Sequence, residues 1–174
     1  MGKQPAFDHR TFNDGRIIVT GTTTRRGEQK KADYVLRYKT VHPIAVIEAK
    51  KAALPAAQGL QQAKEYAEIL GLQFAYATNG QEIIEHDFIT GQQQAISRYP
   101  TPDELWARLN GQIGLTPKQA THVLAPQHRE TGKPPRYYQE IAINRTVQAI
   151  SQGDRRLLLT MATGTGKTFV SFQI

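Results

Sequence analysis

The sequence has no cysteine among its 174 residues, which excludes disulfides and thiolate metal sites and fits a reducing compartment. It also has no apolar run near the roughly 20 residues that span a bilayer. Its opening, "MGKQPAFDHR", lacks the apolar core of a signal peptide. A soluble cytoplasmic protein with no membrane partner is expected. His9, His42, His86, His122 and His128 show no ligand spacing, so zinc is not expected, and Glu85-His86-Asp87 lies along a strand whose neighbours alternate faces. There is no internal repeat, heptad run or low-complexity tract, only a short polar patch at Gln92 to Gln94.

Acidic residues are the minority charge, 15 against 22 Lys plus Arg, for a net charge of +7. That excess suits polyanions, nucleic acid first, because basic side chains displace condensed counterions from phosphates. It serves solubility equally well. The clustering is more specific: "TTTRRGEQKK" sets Arg25, Arg26, Lys30 and Lys31 just before Asp33. Hydrophobic residues make up 39%, enough for a core, and the length suits one domain or a small domain and the beginning of another.

Along the chain, "GRIIVTG" reads as a short strand. "ADYVLRYK" and "IAVIEAK" flank "TVHP", whose Pro43 is not expected to continue a ladder, and read as an antiparallel pair. "PAAQGLQQAKEYAEILG" reads as a helix with Leu60, Ala63, Ala67 and Leu70 in an apolar stripe and Gly71 as its stop. Two strands, "LQFAYATNG" and "EIIEHDFIT", follow about an Asn79-Gly80 turn. "YPTPDELWARL" opens a helix with a capping box of Thr101, Pro102 and Glu104. "APQHRETGKPPRYYQ" is a polar connector, and the helix "YQEIAINRTVQAI" and the apolar strand "RRLLLTM" lead to "ATGTGKT". The organisation expected is 1–98, 99–135 as helix and linker, and 136–174.

Within "IAVIEAKK", period-two alternation puts Ile44, Val46, Glu48 and Lys50 on one face and Ala45, Ile47 and Ala49 on the other. A desolvated carboxylate there requires a partner, a metal or water. A hairpin with Asp33 opposite Lys50 collects Asp33, Glu48 and Lys50 on one face, whereas a slip of one residue scatters them. Two carboxylates so placed can hold a hard cation such as magnesium, which polarises a phosphate and acidifies a bound water, while Lys50 orients the nucleophile or stabilises developing charge. The bland reading is a salt-bridged hairpin. E-x-K alone arises roughly once by chance in such a chain; Glu28-Gln29-Lys30 also fits it, in what reads as a solvated polar loop. Gln62 and Tyr66, an i, i+4 pair, flank the Leu60 stripe and can reach the same sheet edge.

"ADYVLRYKTVHPIAVIEAKK" followed by "QQAKEYAEILGLQFAYATNG" resembles the PD-(D/E)XK nuclease domain of type I restriction enzyme motor (R, HsdR) subunits, from about Ala32 to Tyr99. The resemblance implies an α/β, restriction-endonuclease-like mixed sheet flanked by helices. It implies Asp33 and Glu48 as magnesium ligands, Lys50 as the catalytic lysine, and Gln62 and Tyr66 as a supporting pair. Such domains usually begin with a helix that often adds an acidic residue; "AFDHRTFNDGR" is too short and broken for one.

At the other end, "RRLLLTMATGTGKTFVSFQI" reads as strand, glycine-rich loop and helix, whose N–H groups can cradle phosphates. The first position of the strict phosphate-loop pattern is Met161. What remains, through Thr163, Gly164, Thr165, Gly166, Lys167 and Thr168, resembles motif I of superfamily 2 helicases and translocases. That resemblance implies ATP as cofactor of a complete RecA-like motor domain, Lys167 on the β/γ oxygens, Thr168 on magnesium, and Gln139 as a reader of adenine. Tyr137 and Tyr138 can stack on adenine or pack, and packing is expected of one of them. No D-E-x-x segment follows Thr168, so this stretch alone is expected to lack ATPase activity. The family cuts double-stranded DNA within an assembly of methyltransferase and specificity subunits, and isolated cutting is expected to be weak or absent. Two rivals remain: a non-catalytic DNA-binding module, and a nucleotide-binding phosphate-loop protein whose hairpin charges are structural.

Overall fold

The structure, a computed structural model, describes residues 6–13, 17–20, 23–26, 29–39, 41–125 and 135–174, with side chains from Lys30 onward. Strands β1 (Ala6–Asn13), β2 (Ile17–Thr20), β3 (Thr23–Arg26), β4 (Gln29–Tyr38) and β5 (His42–Ala49) come first. Helix α1 (Ala57–Leu70) leads to β6 (Phe74–Thr78), β7 (Ile83–Asp87) and β8 (Gln93–Ile96). Helices α2 (Pro102–Ile113), α3 (Pro117–Val123), α4 (Tyr137–Gln152) and α5 (Lys167–Phe172) complete the order. Six strands form one mixed sheet, β1-β4-β5-β6-β7-β8, while β2 and β3 pair separately. Only β5 and β6 run parallel in that sheet, and α1 is their crossover.

β5 is apolar on both faces because both are covered. On one side α1 lays Ala63, Tyr66, Ala67 and Leu70 against Val35, Val46 and Ala75. On the other, Leu105 and Leu109 of α2 pack on Leu36, Ile47, Phe74 and Tyr76. Each large side chain so buried contributes about 1.5–3 kcal/mol before its entropy cost. Gly71, at φ 68°, stops α1 in the left-handed conformation a glycine adopts without a Cβ penalty. Thr101 and Glu104 cap α2 reciprocally, at 3.2 Å and 2.6 Å. Arg108 of α2 then bridges Glu85 at 2.7 Å and Asp87 at 2.6 Å. Burial alone would raise the Glu85 carboxyl, but bonds from Arg108, Tyr76 and Gln94 outweigh it and hold Glu85 below its ordinary range. That pairing fixes α2 on the sheet, and among the described residues no three His, Asp or Glu side chains gather as a metal cluster.

Several expectations are corrected. Glu48 falls across from Asp33 when the Tyr34–Ile47 and Val35–Val46 pairs are continued, two residues from the register that opposes Asp33 to Lys50. An even slip preserves the face, so the carboxylates still share it. An irregularity between Leu36 and Arg37 lets Pro43 lie inside β5 opposite Arg37, and it moves Ile44 into the α2-side core with Ala45 and Ile47. The polar loop expected around Glu28-Gln29-Lys30 gives way to β4, which already includes Gln29 and Lys30; Glu28 lies outside the described residues. The stretch 6–13, in which no element was expected, is β1, and Gln93 of the polar patch belongs to β8. α3 has its own capping box, Thr116 with Gln119. The apolar run 155–161 is not a strand: Leu157, Leu158 and Leu159 are 46%, 94% and 42% exposed, because no neighbouring strand supplies a ladder among the described residues. No helix of the described residues is long and apolar enough to cross a membrane.

His42 sits at the start of β5 against the edge of Trp106. Burial lowers it to about 4, Glu140 opposing and Arg37 assisting the shift. The folded value lies below the ordinary 6.5, so its contribution is present above pH 6.5 and is lost as pH falls toward 4. Denaturation series across that window are expected to show a loss approaching about 3 kcal/mol, flattened in His42→Gln. An equal slope in the variant would remove His42 as the cause.

Candidate active site

Val35 and Val46 face α1, and their rows lead to Asp33 and Glu48 at the end of the β4–β5 ladder, where β4 carries an irregularity with Asp33 and Tyr34 between the Ala32–Arg10 and Val35–Asp8 pairs. Glu48 is only 4% exposed. Asp33 is half-buried, and its Oδ2 accepts the Ala49 N–H at 2.8 Å, linking the two strands where the regular ladder ends. Lys50 lies past the end of β5, with its N–H donated to the Thr78 carbonyl of β6 at 2.7 Å. Its side chain folds back so that Nζ donates to Glu48 Oε1 at 3.0 Å and to Gln62 Oε1 at 2.9 Å. Gln62 Nε2 in turn donates to the Tyr66 hydroxyl at 2.8 Å. Glu48, Lys50, Gln62 and Tyr66 form one chain of hydrogen bonds from β5 to α1, and Asp33 joins it from β4 through the Ala49 N–H beside Glu48.

Tyr66 differs from its expected place on the helix edge. Its ring is buried in the α1-side core, while its hydroxyl faces Gln62. A phenol suits this position because its body is apolar and its tip polar. Lys30 lies over that ring, 5.8 Å from its centre, and pairs with Glu65 at 3.3 Å.

Burial pushes the Glu48 carboxyl above its ordinary value and the Asp33 charge reinforces this, while Lys50 and the Asp33 main chain oppose it. Glu48 Oε2 is buried and has no hydrogen-bond partner among the described residues. A buried carboxylate oxygen without a partner loses its hydration uncompensated. A divalent cation beside Asp33 would supply the missing charge and coordination, and oxygen donors from two carboxylates suit magnesium or manganese. The donor set therefore fits the metal that the sequence motif implies.

The sequence marks Asn79 as a turn residue, and the structure gives it a wider role. Its Oδ1 accepts the N–H groups of Gln81 and Glu82, at 3.0 Å and 2.8 Å, and its Nδ2 donates to the Leu54 carbonyl at 2.9 Å. It thus ties the loop that follows Lys50 to the β6–β7 turn. The local signal was an Asx turn; its reach to Leu54 has none.

The glycine-rich loop lies ahead of α5. Gln139, in the first turn of α4, donates from Nε2 to the Thr165 carbonyl at 2.8 Å and accepts the Arg136 N–H at 2.9 Å. Gly166, at φ 87°, passes so close that an added Cβ would lie 2.4 Å from Gln139 Nε2. Thr165 Oγ1 donates to the Ala162 carbonyl at 2.6 Å, and Lys167 Nζ to the Met161 carbonyl at 3.3 Å. Gln139 is thereby brought to the loop, joined to its main chain. Tyr137 packs against the α1-side core, and the Tyr138 hydroxyl accepts from Arg136 at 2.9 Å. Next to Gln139, Glu140 forms a two-pronged pair with Arg37 of β4, at 2.6 Å and 3.2 Å.

Residues 7–100 match the family model described as the type I restriction enzyme R protein N terminus, and residues 132–174 match that of the type III restriction enzyme res subunit. The endonuclease subunit of the type I restriction enzyme EcoAI from Escherichia coli is 41% identical over 94% of this chain and 21% of its own length. The EcoKI endonuclease subunit of Escherichia coli strain K12 is 28% identical over 82% of this chain and 16% of its own length. A solved fragment described as an HsdR subunit of a type I restriction enzyme, from Vibrio vulnificus YJ016, superposes with a TM-score of 0.82 at 56% identity, over 95% of this chain and 32% of that one. The chain thus spans about a fifth of the curated relatives and a third of the solved one. With the matched model covering more than half of its residues, the chain belongs to the family of type I restriction enzyme R (HsdR) subunits, in their N-terminal part.

Proposed function

We propose that this chain carries the endonuclease part of a type I restriction enzyme R subunit and hydrolyses phosphodiester bonds of double-stranded DNA with magnesium. The observation that carries this reading is the buried, partnerless Oε2 of Glu48 on the same sheet face as Asp33. Asp33 and Glu48 would hold the cation. Bound there, magnesium would polarise the scissile phosphate and acidify a water. Lys50, clasped by Glu48 and Gln62, directs its ammonium at the attacking water or at charge developing on the phosphate. Gln62 is oriented in turn by Tyr66. In the reaction, the water oxygen bonds to phosphorus and gives up a proton to solvent, the bond from phosphorus to the leaving sugar oxygen breaks, and that oxygen takes up a proton.

The excess of basic residues suits the DNA backbone. The loop from Thr163 to Thr168, ordered by Gln139, would receive ATP in a complete motor domain, with Lys167 on its phosphates. Methyltransferase and specificity subunits would complete the assembly and supply sequence recognition. The test is cleavage of plasmid DNA by the assembled enzyme with magnesium or with EDTA. Asp33→Ala and Glu48→Ala are expected to abolish nicking while DNA retention persists. Undiminished cutting by either would overturn the reading, and a magnesium-independent parent that binds DNA without cutting would identify a DNA-binding module instead.

A further inference from the structure

Gly59 occupies the third position of α1 and is buried. Its backbone is ordinary helix, so no special conformation requires a glycine, and alanine would favour the helix by about 1 kcal/mol. What requires glycine is the neighbour: a Cβ at this position would lie 3.2 Å from Lys50 Cε, 3.3 Å from Lys50 Cγ and 3.4 Å from Glu48 Cγ. Carbon atoms rest at about 3.5–4.0 Å, so something must yield by a few tenths of an ångström. Glu48 is fixed inside the sheet, whereas Lys50 is a half-buried, flexible side chain. The lysine stem is therefore the part that moves.

We propose that Gly59 is a positioning residue of the nuclease site, its missing side chain being the slot through which the Lys50 stem passes to set its ammonium between Glu48 and Gln62. This rests on the nuclease reading above. The two ammonium contacts, 3.0 Å and 2.9 Å, go to acceptors on different elements, β5 and α1, so a displaced stem changes the geometry of the ammonium against one or both. The helix itself loses nothing. Gly59→Ala separates fold from site: the folded state is retained or strengthened while the lysine is displaced.

The test uses this chain labelled with 15N-lysine and a proton–nitrogen correlation selective for lysine ammonium groups. The parent is expected to show a protected Lys50 signal, identified by its loss in Lys50→Ala. Gly59→Ala is expected to shift that signal or broaden it away, with a Tm equal to or above the parent's. Gln62→Ala, which removes one acceptor, is expected to move the same signal. If Gln62→Ala moves it and Gly59→Ala leaves it unchanged, the role of Gly59 is overturned and the nuclease reading stands. If neither variant moves it, or the parent shows no protected Lys50 signal, the ammonium is not held there and the role of Gly59 is overturned, while the nuclease reading, carried by Asp33 and Glu48, is judged by the cleavage test. A Tm lowered by several degrees in Gly59→Ala would make the glycine a packing residue and likewise overturn the proposal.

Discussion

Replacing Glu140 by alanine is expected to destabilise the fold by about 3–5 kcal/mol, the cost of leaving one member of a buried ion pair without the other. The Arg37 and Glu140 side chains are 9% and 6% exposed, and the guanidinium meets both carboxylate oxygens. Such fork-to-fork geometry offsets the desolvation of two charges, but only while both are present. Removing Glu140 takes the carboxylate from a buried guanidinium that also donates to the Val41 carbonyl at 3.4 Å. Urea denaturation at neutral pH measures the effect. The double replacement Arg37→Met with Glu140→Leu is expected to return most of the lost stability, since apolar side chains of similar volume replace such pairs at little cost. A loss below about 1 kcal/mol in Glu140→Ala would match an exposed pair and contradict the buried one described here.

Lys50→Ala is expected to lower DNA cleavage by the assembled enzyme by about 10²–10³-fold, the range seen when one preorganised donor to a developing charge is removed. Cation binding is expected to persist, because Asp33 and Glu48 both remain. Arginine is not expected to restore the rate: its planar fork does not fit a slot that passes a single ammonium between two acceptors. Single-turnover cleavage at saturating magnesium, for the parent, Lys50→Ala and Lys50→Arg, measures this. A rate within threefold of the parent in Lys50→Ala would reduce Lys50 to a counter-ion for Glu48.

What was legible in the sequence was set by local periodicity. The apolar stripe of α1 and the stop at Gly71 follow from a period of 3.6 residues and one conformational preference. The approach of Asp33 to Glu48 survived a register off by two because a strand's faces repeat every two residues, whereas Lys50 joins them by folding back from beyond the end of β5. The irregularity beside Arg37 was not legible: Pro43 argued for a turn, and tertiary pairing overrode it. β8 was hidden because an edge strand such as "QQAI", exposed along most of its length, shows no apolar alternation. The run 155–161 shows the converse, a strand-like composition without a partner strand among the described residues. The pairing of Arg37 with Glu140 joins positions 103 residues apart, beyond any local pattern, and the missing side chain of Gly59 matters only once α1 lies on β5.

The claim on which the rest depends is that Asp33 and Glu48 jointly hold a divalent cation, and titration calorimetry of magnesium or manganese into this chain tests it without requiring cleavage. The parent is expected to give a saturable binding heat that is lost in Asp33→Ala and in Glu48→Ala. Binding of the same strength in either variant would contradict it.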